Sequence, residues 1–290
     1  MPIPLTKKIY PFMVSSKKIA SIFVKNFSMS SNALLIIDAQ YDFCDPKGSL
    51  YVPGAEKDMT NLSQFIKNNL SKIDYICLTM DSHPYVHISH PCYWVSRNGF
   101  HPEPFTLITS EDVKSQKWIP QYQPEYSLEY LIKLEEQGQF PHVIWPYHCI
   151  AGTYGFAIVD TLMEAVKEWS FHSGKAHHIE LKGSNPFTEH FGIFTANIPI
   201  ETDQSTQPNY PLLHSLNRFD KIFIAGEARS HCVATSLKQI IELMPEMANK
   251  LVILEDCMSD VTGFAEQATP IYQNAYSLGS SVFNSKNQIS

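Results

Sequence analysis

The sequence predicts a three-layer α/β/α fold with a central, mostly parallel sheet, Rossmann-like in its alternation, and three observations carry that expectation. Short apolar runs recur along the chain, bounded by turn residues. Segments with helical spacing stand between them, which is the pattern of parallel strands joined by helices. Several of the runs also stop at residues able to do chemistry, and in open sheets of this kind ligands bind outside the carboxyl ends of the strands.

Taken in order, Ala33-Leu-Leu-Ile-Ile37 reads as the first strand and runs into Asp38. A turn-rich loop, Tyr41 to Gly54, and a helix over Glu56–Leu70 follow. Ile73-Asp-Tyr-Ile-Cys-Leu-Thr-Met80 is the second strand and leads into Asp81 and His83. From His83 to Tyr147 the chain is rich in Pro, Tyr, Trp and His, and only Ser127–Gln137 has a helical pattern; its aromatic content predicts a packed cover. A helix over Gly155–Phe171 precedes a third strand, His178-Ile-Glu-Leu181, which runs into Lys182-Gly183. Tyr210–Phe219 is a weaker helix. Lys221-Ile-Phe-Ile-Ala-Gly226 reads as a strand buried on both faces, and Val233–Met244 as an amphipathic helix. Lys250–Glu255 and a helix at Ala265–Tyr276 close the series. With no internal repeat and no linker, residues 29–290 read as a single domain with a long loop insertion at about 88–144.

Composition narrows the function. The chain has 290 residues, 44% hydrophobic and 18% charged, and a net charge of −7, which argues against a nucleic-acid partner. No stretch approaches ~20 consecutive apolar residues, so no membrane span is expected. Cys44, Cys77, Cys92, Cys149, Cys232 and Cys257 are widely spaced, as suits free thiols in a reducing, cytoplasmic setting. Residues 1–28 form a basic N-terminal extension, with Lys7, Lys8, Lys17, Lys18 and Lys25, serines, no acid and no arginine. An organellar leader, a loosely packed extension and a start at Met29 all fit it. A homo-oligomer is left open.

Cys232 sits between the Lys221–Gly226 strand and the following helix, where unpaired N–H groups and the helix dipole favour an anion. Such a position can lower a thiol pKa, although most cysteines are inert and buried. Asp81-Ser-His83 places a carboxylate and an imidazole two residues apart, on one side of an extended strand end. His148, within Trp145-Pro-Tyr-His-Cys149, and His87 are further metal-ligand candidates. This donor set suits zinc, iron or manganese.

These residues resemble the isochorismatase-like cysteine hydrolases, and within them the metal-dependent nicotinamidase branch. The matching segments are Leu35-Ile-Ile-Asp-Ala-Gln-Tyr-Asp-Phe43 with Gly48-Ser-Leu, Asp81-Ser-His-Pro84 with His87-Ile-Ser, Trp145-Pro-Tyr-His-Cys149, Lys182-Gly183, and Gly226-Glu-Ala-Arg-Ser-His-Cys-Val233. They cover most of residues 33–284 in the family's order. The resemblance implies hydrolysis of a small amide at its C–N bond, with nicotinamide giving nicotinate and ammonia for NAD salvage. It implies Cys232 as nucleophile, Asp38 as proton-transferring acid/base and Lys182 as the cation beside the thiolate. It places an oxyanion hole near a cis peptide between Glu227 and Ala228. It further implies Asp81, His83 and His148 as ligands of one divalent ion, zinc ahead of iron or manganese, with His87 variable among members. Phe43 and Trp145 match rings that flank the substrate, though core packing explains such rings equally well.

Two departures stand out. Ser184-Asn-Pro-Phe-Thr-Glu-His-Phe191 replaces a segment that carries Asp, Ser and Tyr in many nicotinamidases, and the region Pro91–Pro141 is longer than in compact members. A related amidohydrolase for another small amide, and a silent binding module on the same fold, are the competing readings. The complete Asp38, Lys182 and Cys232 set counts against the second.

Overall fold

The computed structural model describes residues 30–138 and 141–289, so the extension 1–28 lies outside the described residues. In chain order the elements are β1 (Asn32–Ile37), α1 (Tyr41–Cys44), α2 (Ala55–Asn68), β2 (Tyr75–Asp81), β3 (Trp94–Val95), α3 (Ser110–Lys114), β4 (Ile119–Pro120) and α4 (Pro124–Glu136). There follow α5 (Asp160–Ser173), β5 (His178–Lys182), α6 (Tyr210–Asn217), β6 (Lys221–Gly226), α7 (Ala234–Leu243), β7 (Leu251–Ile253), α8 (Ala265–Ser277) and β8 (Ser281–Val282). Six strands form one sheet in the order β5-β2-β1-β6-β7-β8, parallel at every pairing. The three-layer α/β/α expectation holds.

Alternation along β1 divides the core. Leu34 and Ile36 face α2 and α5, while Ala33, Leu35 and Ile37 face α6, α7 and α8. Both layers follow helical spacing: Met59, Leu62, Phe65 and Ile66 are buried on α2, and Leu162, Ala165, Val166 and Trp169 on α5. The Trp169 indole N–H donates to the Ile73 carbonyl at 2.9 Å, tying α5 to the start of β2.

The structure differs from the sequence reading in four places. The helix expected from Gly155 begins at Asp160, because Ile158 is extended and bridges to Gln40. β5 lies at the sheet edge, with Ile179 and Leu181 exposed rather than covered. β8 was not anticipated; two residues carry too little pattern. The region expected to be irregular apart from the Ser127–Gln137 helix, which is α4, also holds α3 and the antiparallel pair β3–β4, packed around a separate core of Ile88, Tyr93, Trp94, Ile108, Tyr130 and Leu131. Among the described residues no helix is long and apolar enough to cross a membrane.

Candidate active site

The ladder register sets the first pair. Asp81, the last residue of β2, stands opposite Lys182, the last residue of β5. The Lys182 Nζ lies 2.9 Å from Asp38 Oδ2, 3.2 Å from Asp81 Oδ1 and 3.7 Å from Cys232 Sγ. All four residues are buried. Burial alone would neutralise the lysine, but Asp38, Asp81 and the thiol hold its pKa well above the ordinary range. Burial raises the Asp38 pKa against the pull of Lys182, while Thr79 Oγ1 donates to Asp38 Oδ1 at 2.6 Å. Asp81 is driven the other way. Burial opposes its charge, yet His83 and Lys182 hold its carboxyl well below the usual range.

Asp38 follows β1 with φ 45°, in the left-handed region that a non-glycine residue adopts at a cost. Beside it Gly226 has φ 116°, and a Cβ there would collide with the Ile37 backbone. β1 and β6 can therefore approach only because residue 226 is glycine.

Cys232 sits in a single wide helical turn, Arg229–Val233, inserted between β6 and α7. Its carbonyl accepts from Ser236 Oγ at 2.7 Å. The peptide Glu227–Ala228 is cis. One expectation needs correction. Burial, with Asp38 and Asp81 close by, pushes the thiol pKa up, against the pull of Lys182. The dry, acidic surroundings of the turn outweigh the helix end.

Asp81, His83 and His148 each place a ligand atom within 4.8 Å of the others. Asp81 Oδ2 lies 3.0 Å from His83 Nε2 and 3.8 Å from His148 Nε2. His148 Nδ1 meets the Pro146 carbonyl at 2.8 Å, a bond that leaves Nε2 as the lone-pair nitrogen. Gly183 makes room for this group, since a Cβ there would strike Asp81 Oδ1 and press on the His83 ring. Two nitrogens and one carboxylate oxygen converging in this way fit a divalent transition metal. His87 adjoins the group, its ring centroid 4.4 Å from that of His83.

The long insertion reaches the sheet through a few specific bonds. His83 N–H donates to the Cys149 carbonyl and Ala151 N–H to the His83 carbonyl, both at 3.1 Å. The Cys149 N–H donates to Asp42 Oδ2 at 2.7 Å. Gln40 receives the Asp81 N–H at 2.7 Å and donates to the Asp81 carbonyl at 2.8 Å. Neither Gln40 nor Asp42 was singled out from the sequence, although both lie inside the matching segment Leu35–Phe43. Their spacing carries no ligand or nucleophile signal.

Phe43, Trp145 and His148 line the cavity in front of Cys232, together with Glu189, Phe191 and His231. Phe43 and Trp145 belong to the hydrophobic core as well. The Trp145 ring is 5.5 Å from His231 and 6.4 Å from Phe191. Burial lowers the His231 pKa to about 4, so its ring is neutral. Glu189 and Phe191 come from the departing Ser184–Phe191 segment. Glu227 lies behind the turn, its Oε2 accepting the Ser259 N–H at 3.2 Å; burial and Asp58 push its pKa well up.

No family model matches the chain. A nicotinamidase of Saccharomyces cerevisiae is 26% identical over 212 residues, which are 72% of this chain and 81% of that protein. Among solved structures, the yeast nicotinamidase bound to the inhibitor nicotinaldehyde superposes with a TM-score of 0.60 at 20% identity, covering 87% of this chain and 99% of the other. A Pyrococcus horikoshii pyrazinamidase in complex with zinc gives 0.51 at 20% identity, over 88% of this chain and 99% of its own. The resemblance read from the motifs is borne out in sequence and in fold.

Proposed function

We propose that this chain, a relative of the nicotinamidases, is a metal-dependent amidohydrolase that converts nicotinamide to nicotinate and ammonia, a step of NAD salvage. One observation carries the reading: the Lys182 ammonium touches Asp38, Asp81 and Cys232 at once, so that thiol, acid/base and metal-ligand candidate meet at a single buried cation.

The chemistry follows from those contacts. Asp38 takes the thiol proton, and Lys182 stabilises the thiolate that forms. The sulfur attacks the amide carbonyl carbon. The oxyanion turns toward the backbone at Ala228–Cys232. Asp38 returns its proton to the departing nitrogen, the C–N bond breaks, and ammonia leaves a thioester on Cys232. Water then gives a proton to Asp38 and attacks the thioester; the C–S bond breaks, nicotinate is released and the thiol is restored. The raised Asp38 pKa suits a carboxyl that alternates between acid and base. Asp81, His83 and His148 would hold the ion, which when bound supplies a Lewis-acid anchor for the pyridine nitrogen. A cation held at Asp81 would also offset part of the field that raises the thiol pKa. Phe43 and Trp145 would flank the ring.

Glu189 and Phe191 favour a second reading, a related amidohydrolase for a different small amide, because they reach the cavity from the departing segment. Ammonia release from nicotinamide, pyrazinamide and a panel of other small amides, run with zinc-loaded and chelated protein, separates the two. Fastest turnover of nicotinamide, lost on chelation and recovered with zinc, is the expected outcome. A faster non-pyridine amide, or turnover indifferent to chelation, would overturn it.

A further inference from the structure

We propose that the Glu227 side chain is a positioning group for Cys232, seating from behind, with Ser259 and Asp58, the turn that carries the nucleophile, a role that rests on the cysteine-hydrolase reading above. Glu227 is 0% exposed, and the mechanism makes no use of its carboxyl. Its backbone N–H donates to the Ile37 carbonyl at 2.8 Å, one residue before Asp38. Its Oε2 accepts the Ser259 N–H at 3.2 Å, and the Ser259 carbonyl accepts the Arg229 N–H at 2.8 Å. Residues 259–261 thereby run as a strap along the turn. The Val261 N–H donates to Ser230 Oγ at 3.0 Å, and Arg229 pairs with Asp260 at 3.2 Å. Val261 itself lines the cavity in front of Cys232.

A pair of acids fixes the strap. Ser259 Oγ donates to Asp58 Oδ2, on the first turn of α2. The junction is close: a Cβ on Gly54, just before α2, would stand 2.8 Å from Ser259 Oγ. The Asp58 carboxyl also faces that of Glu227, whose Oε1 has no donor among the described residues. Two buried carboxylates repel each other, so such a pair is stable only with a proton between them. Glu227 holds that proton. Burial and Asp58 raise its pKa further than burial raises that of Asp58, and a helix start favours the Asp58 anion. The other titratable groups around Glu227 are Asp260 on the strap and the thiols of Cys44, from α1, and Cys257. The mechanism asks for fixed positions of the sulfur and of the backbone at Ala228–Cys232, and a displacement of about 1 Å is enough to cost roughly 10²-fold. The neutral carboxyl acts as a clasp. Loosening the strap lets Glu227 reach water and ionise, so each opening releases a proton.

Ammonia-release kinetics and hydrogen exchange of the turn test this on the full chain. Glu227→Leu, which removes the carboxyl and its bonds, should lower kcat by roughly 10²-fold while KM stays within about threefold. Glu227→Gln, whose amide N–H can stand in for the shared proton, should recover most of that loss. In the wild type, exchange of the Arg229 and Val261 amides is corrected for the intrinsic effect of pH. It should then speed up by as much as about tenfold per pH unit near neutrality, because opening releases the Glu227 proton. In Glu227→Gln that slope should vanish. A flat wild-type profile, or the same slope in Glu227→Gln, would overturn the proposal, and so would a folded Glu227→Leu variant with normal kcat. The comparison of wild type with Glu227→Gln stands even if circular dichroism shows that Glu227→Leu does not fold. Failure to release ammonia from any amide would overturn the hydrolase reading and with it the catalytic half of this one, while the exchange slope stands or fails independently.

Discussion

The carboxyl edge of the sheet and the insertion between β2 and α5 contribute to one site by opposite means. At the sheet edge, position follows from register: Asp81 faces Lys182 because Met80 faces Leu181 and Cys77 faces His178. In the insertion, position follows from a small independent core and a handful of pins. Trp94 is fully buried and donates its indole N–H to the Ile88 carbonyl at 2.6 Å. His148 reaches the sheet through Cys149 on Asp42 and on His83. A continuous ladder tolerates the loss of one bond, whereas a pinned segment moves when one pin is lost. The residues proposed to break bonds lie with the ladder, and His148 of the candidate metal group lies with the pins.

The largest effect should come from the ladder side. Cys232→Ala should lower kcat by roughly 10⁴–10⁶-fold while the fold stays intact, as for other covalent nucleophiles. Normal turnover, or a substrate thioester mapped to Cys149, would move the reaction off the sheet edge and break the contrast. Lys182→Met should follow, with a loss of roughly 10³–10⁴-fold near pH 7. The thiol pKa, already raised by burial, should rise further once the nearby cation is gone, so activity should recover only in part at high pH. Iodoacetamide should alkylate Cys232 more slowly in parallel; an unchanged alkylation rate would remove the lysine from the mechanism.

On the insertion side, Trp94→Ala should cost roughly 4 kcal/mol by leaving a large cavity. Hydrogen exchange should speed up across residues 88–144 while β1 and β6 stay protected. Equal loss of protection in those strands would show one cooperative unit. The smallest effect concerns His142, buried in this region with Nε2 on the Ile88 carbonyl at 3.1 Å. Burial lowers its pKa to about 4, with Glu189 and the Ile88 carbonyl opposing. The unfolded chain therefore binds the extra proton first as pH falls. Stability from this group should be undiminished above pH ~6.5, decline by roughly 3 kcal/mol on the way to pH ~4, and level off below. His142→Gln should flatten that limb of a urea-stability profile, and an unchanged slope would assign the pH dependence elsewhere.

The same contrast explains what could be read from the sequence. Asp38, Asp81, Lys182 and Cys232 were legible because a strand ends at or just before each acid and the lysine, and β6 runs into the cysteine's turn; parallel topology gathers such ends. His148 was found through a short motif, but its distance from Asp81 depends on Asp42 and Cys149, which no periodicity links. β5 reads as apolar from Ile179 and Leu181, yet edge placement is decided by the whole sheet and not by five residues. The direction of the thiol shift was misjudged because burial and two carboxylates outweigh one helix end. Glu189 stands in the departing segment Ser184–Phe191, where no spacing links it to a histidine after β2. Its meeting with His83 and His87 is a property of the tertiary structure.

Gln40 deserves a last consideration. β1 leaves its ladder at Ile37, while β2 continues to Asp81. The Gln40 carboxamide presents to β2 the pair of groups a peptide would, one N–H and the C=O on the Asp81 backbone, while its nitrogen also donates to the Phe156 carbonyl at 2.9 Å. A side chain has become one rung of the sheet. The carboxylate that faces Lys182 and His83 is thereby aligned as though the neighbouring strand had never ended. Glutamate at this position would keep the shape and reverse the polarity of half the rung, setting oxygen against the Asp81 carbonyl. Asparagine would fall a methylene short. The demand on residue 40 is thus one of mimicry, set by the backbone it imitates.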